Sequence, residues 1–494
     1  MSKQEFDVGA EAQFDVLPVL KKDRLYSFGK YTYVIVGFAL ATWCFMIGGS
    51  LAGFVGFKTA IIASIAGNMV AVLIMITATV VPAVRYGIDN YTIVGSFLGY
   101  NGTKALMVLL AVFQASWVIV FSFMVAKSVL AIASGFTGTE IDSRIILTIL
   151  GLCAAGVVWF IAVKGPKLFD KLNMVFAPII VILMVVMIVL VGKDYGFSVL
   201  MKAKAINPLD NNWLNFLIAF ELSLGAGFSW WPNMGGLARL CKTERAAFWP
   251  NIIGLVFGAT LGTAVGVAAA LLIGTTDPTG WMIPIGGLFV GTLALIAVGM
   301  ANLTAVAIVS YNICLGFKQW KSFFKMNWTK VTGLFMCIVF IGMFFAVELY
   351  NNFYIILGLA CTVYSPIIAM QLIDFYVFRK QKLELRSLYN KTDTGSYCFW
   401  KGFNWVAIFV FLSGAVIYYL IMDPINVTYS PVFQYTTATG GATIYALIAY
   451  YVLGKLILFK KNKGGYGGQN NAGYHIHNRN GEAETNHNGN AEAL

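Results

Sequence analysis

Gln114 and Trp117, in the segment FQASW, stand three residues apart and so share one face of any helix that carries them. Together they offer a flat aromatic surface and an amide that both donates and accepts hydrogen bonds. The pairing suits a planar heterocycle: its ring stacks on the indole, worth about 1–3 kcal/mol, and its polar edge meets the amide. It fits equally an interface tryptophan beside a glutamine bonded to a neighbouring helix. A second cluster occupies residues 219–239, AFELSLGAGFSWWPNMGGLAR, where Gly225, Gly227, Pro232, Gly235 and Gly236 crowd together with Ser229, Trp230, Trp231 and Asn233 between them. Glycine costs roughly 1 kcal/mol inside a helix and proline roughly 3, so this segment is expected to unwind for about a turn near mid-membrane. Freed N–H and C=O groups then need protein, water or ligand, and a helix broken at the midplane is where transporters bind their cargo. The competing reading is a Pro/Gly kink with aromatic packing.

Four ionisable residues fall within or near membrane depth: Lys127, Glu221, Glu348 and Asp374. A charge at a span's centre costs about 2.5–3.5 kcal/mol, so a deep one needs a partner or a task. Glu348 and Asp374 fall near span ends and read as interfacial, while Lys127 can snorkel outward. Glu221, about one turn from the glycine cluster, either exchanges a proton during transport or pairs with Lys127. In GMANLTAV, Asn302 and Thr304 supply oxygens of the kind a small cation takes, or else ordinary interhelical hydrogen bonds. His475, His477 and His487 all lie in a polar tail, and the seven cysteines form no CxxC pair, so a haem, a zinc site or a histidine relay has no material. No nucleophile, base and orienting group gather at one depth. The chain is therefore expected to be no enzyme and to hold no cofactor beyond a coupling sodium ion or proton.

These groups have to be positioned by membrane helices, because 59% of the chain is apolar, only 11% is charged and mean hydropathy is +0.76. Apolar runs near the spanning length of about 20 residues fall at 33–56, 59–83, 105–134, 144–163, 172–192, 213–238, 250–275, 286–315, 331–348, 353–378, 403–422 and 438–459. Residues 1–30 are polar with no signal-peptide pattern, and the low-complexity tail, residues 461–494, reads as disordered. With both termini in the cytoplasm, only Lys58, Arg144, Lys193, Lys202 and Lys204 remain outside, the asymmetry of the positive-inside rule. The net charge of +12 thus reports topology and the lipid bilayer rather than nucleic acid. Ile47-Gly48-Gly49-Ser50 reads as a second interruption, in the first span. Breaks in the first and sixth spans are what an inverted five-plus-five repeat produces.

The run LYNNF at 349–353, Pro366 and then Ile373-Asp374-Phe375-Tyr376 before Arg379 resemble the tenth-span region of the nucleobase:cation symporter family, the purine/cytosine permeases with their hydantoin and allantoin transporter relatives. So do VGFALATWCFMIGGSLAGF, Gln114-x-x-Trp117 and GFSWWPNMGGLARLCK. The resemblance implies an all-α, sodium-symporter-like fold in which spans one, two, six and seven rock against three, four, eight and nine. Trp117 would stack on the substrate, Gln114 would bond its edge, and the broken sixth span would add backbone at Gly227 and the Ser229 hydroxyl. Ala41 falls where family members carry an aromatic ring on the other face, which directs attention to Trp230 or Trp231. Cation ligands would be the carbonyls of Gly37 and Leu40, then Ala301 and the Thr304 hydroxyl. Ala305 departs from the pattern by lacking a second hydroxyl, and Val306 replaces a substrate-binding asparagine, with Asn302 one turn earlier.

The expectation is a multi-pass plasma (inner) membrane symporter that imports a small planar heterocycle by alternating access, each ligand shifting the population of the conformer it binds better. The departures favour a purine, uracil, allantoin or hydantoin over cytosine, and they leave proton coupling through Glu221 as a rival to sodium. An amino-acid or osmolyte symporter of the same fold, or a membrane sensor, are the alternatives.

Overall fold

The computed structural model describes residues 16–140, 143–389 and 395–466. The expected N-terminal segment is described from Val16 onward, and the tail beyond residue 466 lies outside the described residues.

The first span is two helices, α1 (Phe28–Ala39) and α2 (Thr42–Phe54), followed by α3 (Phe57–Tyr86), a short α4 (Asn90–Leu98), α5 (Tyr100–Thr137), α6 (Arg144–Lys164) and α7 (Pro166–Lys202). The sixth span is again divided, into α8 (Asn212–Phe228) and α9 (Trp231–Ala238). After it come α10 (Glu244–Ile273), α11 (Pro278–Lys318), α12 (Trp328–Asn351), α13 (Phe353–Phe378), α14 (Trp405–Ile421) and α15 (Ala438–Phe459). Nine of the described helices are each long and apolar enough to cross a membrane, and the pair α1/α2 makes a tenth. The pair α8/α9 and the 17-residue α14 complete the twelve that the apolar runs require. Hydrocarbon offers the backbone no partner, so each run closes its own hydrogen bonds as helix.

The first break lies elsewhere than expected. The chain bends by 52° between α1 and α2, at Leu40 (φ −87°, ψ 52°) and Ala41 (φ −100°, ψ 174°), whereas residues 47–50 are continuous helix. Gly48 and Gly49 serve packing instead. A Cβ on Gly48 would collide with the Thr263 carbonyl of α10, and one on Gly266 with the Phe45 carbonyl of α2, so the two backbones touch directly. The break is held by α11: Asn302 Oδ1 accepts from Thr42 N at 2.9 Å and Asn302 Nδ2 donates to Thr42 Oγ1 at 2.6 Å. A side chain from another span thereby satisfies an N–H at the start of α2 that has no intrahelical partner.

The sixth break is shorter than a full unwound turn. Only Ser229 and Trp230 separate α8 from α9, and both keep near-helical dihedrals (φ −60°, ψ −18° and φ −74°, ψ −21°). Ser229 N still donates to Gly225 O at 3.0 Å, and Asn233 N to Trp230 O at 3.0 Å. Pro232 stands in the first turn of α9, where its missing N–H costs nothing.

α2 lies along α10 and α3 along α8, while α5 lies along α11 and α6, with α12 against all three of these. The two sets form a bundle and a scaffold, and α7 leans on α1, α10 and α11. Gly287 (φ 64°, ψ 178°) adopts a backbone conformation that only glycine takes without strain, and it splits α11 into a short leading piece and the span proper. That piece straps the two bodies together: Trp281 packs edge-on against Phe45 of α2 at 5.7 Å and 84°, and Asp277 pairs with Lys127 of α5.

Lys127 therefore does not pair with Glu221. Burial opposes the charge on Asp277, but the Lys127 ammonium and the Thr279 hydrogen bonds outweigh it and hold the carboxyl below its usual range. Glu348 is exposed and pairs with Arg144 at 2.7 Å. Asp374 lies near the end of α13, as expected, but is buried in protein, bound by Arg379 Nε at 2.8 Å, Ser96 at 2.6 Å and Tyr466 at 2.6 Å. The terminal segment at Tyr466 is thus pinned to the end of α13.

Candidate functional site

A cavity lies between bundle and scaffold, where both broken spans meet α5. The bundle contributes Phe38 from α1, Trp43 and Ile47 from α2, and Ala226, Ser229, Trp230 and Asn233 from the sixth span. Facing them are Trp117 and Phe121 of α5, Val306 and Val309 of α11, and Phe353 and Leu357 of α13. The aromatic rings fall into two groups. Trp230 meets Phe38 at 4.7 Å and 67° and Trp43 at 4.9 Å and 76°; Trp117 meets Phe353 at 5.4 Å and 82° and Phe121 at 6.0 Å and 80°. Edge-on packing of this kind fixes the orientation of each indole. One aromatic group belongs to the bundle, and the other comes from α5 of the scaffold and from α13.

Of the residues singled out from the sequence, Trp117, Ser229 and Trp230 come together on this cavity. Gln114 is fully buried just behind it. Its Nε2 donates to Asn233 Oδ1 at 2.8 Å, so the amide that reaches the cavity wall is that of Asn233, held in orientation by Gln114. Gln114 Oε1 has no partner among the described residues. The hydroxyl of Ser229 donates to Ala226 O at 2.6 Å, which turns its lone pairs, rather than its proton, toward anything bound. Trp231 points away, its Nε1 donating to Gln371 Oε1 at 2.7 Å.

The other candidates sit off the cavity lining. Gly227 packs against Ala71 of α3, where a Cβ would collide with the Ala71 methyl. Ala41 forms the first-span break, and the ring on that side of the cavity comes instead from Trp43 and Phe38. Asn302 is spent on Thr42, and its neighbours Val306 and Val309 face the cavity. Glu221 is buried among α14 and α15: its Oε1 accepts from Thr439 N at 2.9 Å, Thr439 Oγ1 at 2.7 Å and Tyr418 OH at 3.4 Å. It caps the first turn of α15, where a carboxylate also meets the positive end of the helix dipole. Trp43, Phe121 and Phe353 were not selected from sequence, and Asn233 was named there only as a member of the glycine-rich cluster. The chain has 38 phenylalanines and 12 tryptophans, so residue type alone marks none of these rings.

The cation candidates lie around the first-span break. Leaving the helical ladder at Leu40 and Ala41 frees carbonyls of the preceding turn, Gly37 and Leu40 among the region concerned. Across from them, Thr304 Oγ1 donates to Ala301 O at 3.0 Å and Met300 O at 3.2 Å and keeps lone pairs free. Every one of these oxygens is neutral, a set that suits a monovalent hard cation better than a divalent one, which recruits carboxylates. Among the described residues no three His, Cys, Asp or Glu side chains gather as a metal centre.

Two helices broken five spans apart, a bundle packed on a scaffold, and an aromatic cavity between them define a secondary transporter embedded in a membrane. Residues 18–452 match the family described as permease for cytosine/purines, uracil, thiamine and allantoin, and the chain belongs to that family. It is 22% identical over 436 residues to a purine-uracil permease of Arabidopsis thaliana, covering 81% of this chain and 70% of the relative. To the hydantoin permease of Microbacterium maritypicum it is 23% identical over 442 residues, covering 81% and 83%. Its fold is similar to that of Mhp1, a nucleobase-cation-symport-1 family transporter solved in a closed conformation with bromovinylhydantoin bound, at a TM-score of 0.72 and 17% identity over 92% of this chain and 99% of that one. A sodium-coupled sialic acid symporter in a substrate-bound outward-open state shares the fold at a TM-score of 0.61 and 11% identity, covering 91% and 95%.

Proposed function

We propose that this transporter carries a planar heterocycle with one polar edge, of the hydantoin or purine/uracil kind, together with sodium, inward across the plasma membrane with both termini in the cytoplasm. The observation that carries the reading is Trp117 and Trp230, one on each rocking body, lining a single cavity beside the Gln114–Asn233 amide pair. A flat ring inserted between them would be stacked from both sides, for about 1–3 kcal/mol per face. Asn233 and Ser229 would read its one polar edge.

Val306 and Val309 refine the class. They present hydrocarbon where a second polar edge would lie, and burying an unpaired polar group costs about 1–3 kcal/mol. The site therefore favours a ring that is apolar or apolar-substituted on that side, as in a hydantoin with a hydrocarbon substituent, over cytosine. A thermal-stability panel of nucleobases, allantoin and substituted hydantoins, each with and without sodium, tests this, because a ligand that binds the folded state raises the unfolding midpoint. Stabilisation by a substituted hydantoin, enhanced by sodium, is expected. A flat response to every planar ring, with stabilisation by an amino acid, would refute the reading.

A further inference from the structure

Asn173, in the first half of α7, is 1% exposed. Its Nδ2 donates to Phe169 O, one turn back, at 2.8 Å, which fixes the plane of the amide. The other end, Oδ1, has no hydrogen-bond partner among the described residues. It presses against α1 at Gly37, where a Cβ would overlap Asn173 Oδ1 itself. Gly37 lies one turn before the Leu40–Ala41 break.

At that break the carbonyls are also short of donors. Thr42 N, which in an unbroken helix would serve Phe38 O, is taken by Asn302 Oδ1. An amide oxygen without a donor is therefore packed against a turn whose carbonyl oxygens have lost theirs. A buried acceptor without a donor is unfavourable, and acceptors brought together repel one another. A small cation among them reverses the sign of every one of these interactions.

We propose that Asn173 Oδ1 is a ligand of the coupling cation, contributed by α7 and taking the place of the hydroxyl that Ala305 cannot supply. The inference rests on the cation-symport reading above. With the carbonyls of Gly37, Leu40 and Ala301 and the hydroxyl of Thr304, it makes an all-neutral oxygen set. Its chemical class is an alkali cation of sodium's size. It also ties cation binding to α7, which packs on bundle and scaffold alike, so the ion would hold three elements together rather than two.

The test uses the full-length protein in detergent, with sodium chloride exchanged for choline chloride at constant ionic strength and thermal unfolding as the readout. Wild type is expected to be stabilised progressively by sodium. Asn173→Ala should keep its unfolding midpoint in choline but need at least tenfold more sodium for the same stabilisation, and adding Ala305→Thr to that variant should recover most of the loss. If Asn173→Ala proves unstable in choline, the near-isosteric Asn173→Asp substitutes for it, and calcium should then stabilise the protein where it does not stabilise wild type. A purely structural asparagine predicts neither the recovery nor the gain of calcium binding. Sodium dependence in Asn173→Ala identical to wild type, or an Asn173→Asp variant that calcium does not stabilise, overturns the proposal while leaving cation symport standing. Absence of sodium-specific stabilisation in wild type overturns both.

Discussion

If Gln114 acts on the substrate through Asn233, the two side chains form one unit and their losses should not add. Replacing Gln114 by Leu removes the donor 2.8 Å from Asn233 Oδ1 and leaves a buried acceptor unsatisfied, a cost of about 1–3 kcal/mol. Part of that appears as weaker binding, because Asn233 is then free to turn from its working orientation. Substrate affinity should fall measurably and by no more than roughly 150-fold, at 1.4 kcal/mol per factor of ten. Asn233→Leu should cost at least as much, since this residue lines the cavity itself. In the double variant the loss should equal the larger single loss, so that the coupling energy equals the loss in Gln114→Leu alone. The assay is calorimetric titration of each purified variant with the best ligand from the stability panel, with circular dichroism to check the fold. Losses that add to within about 0.5 kcal/mol would refute the reasoning. They would place Gln114 in direct contact with the ligand through its unpartnered Oε1.

Trp117→Ala should abolish saturable uptake into vesicles while the protein stays folded, because the indole borders an existing cavity; uptake with unchanged affinity would remove it from the site. Glu221→Gln should retain gradient-driven accumulation, since an amide oxygen can still accept from Thr439 and cap α15; loss of accumulation under a pH gradient with exchange preserved would make Glu221 the proton carrier. The strap between α10 and α11 should respond to pH in a defined sense. Because the Asp277 carboxyl is held below its ordinary range, its pairing with Lys127 contributes fully above the unfolded carboxylate value of about 3.9 and is lost as pH falls through the lower folded value. The mobility of a nitroxide spin label placed at Thr275 should thus be constant across neutral pH and increase only in strong acid, and Asp277→Asn should increase it at every pH; an increase near neutrality in wild type would contradict the assignment.

The spans were readable because the membrane imposes one solution on any long apolar run, whereas the glycine- and proline-rich cluster marked where the sixth span is interrupted but overstated the unwinding, since Ser229 and Trp230 keep near-helical dihedrals. The first break was misplaced for an instructive reason. Glycines at 48 and 49 carry the mark of a weak helix, yet here they answer to the approach of α10. The actual break falls in Leu40-Ala41, two good helix formers, because Asn302, 260 residues away, supplies the hydrogen bonds that make breaking tolerable. Glu221 shows the same limit. Its depth was evident from sequence, but its partner Thr439 lies 218 residues further on. Trp117, Ser229 and Trp230 were identified by chemistry at a suspicious place, whereas Trp43 and Phe353 acquire meaning only once the bend of the first span has turned α2 toward α5.

The bare contact of α2 with α10 governs how this molecule can change shape. Where Gly48 meets the Thr263 carbonyl and Gly266 meets that of Phe45, no layer of flexible side chains lies between the rods to absorb sliding. The α2 half of the first span and the seventh span would then swing as a single lever. An alanine at either glycine would wedge the lever open, and the whole cycle would be expected to stall on one side of the membrane.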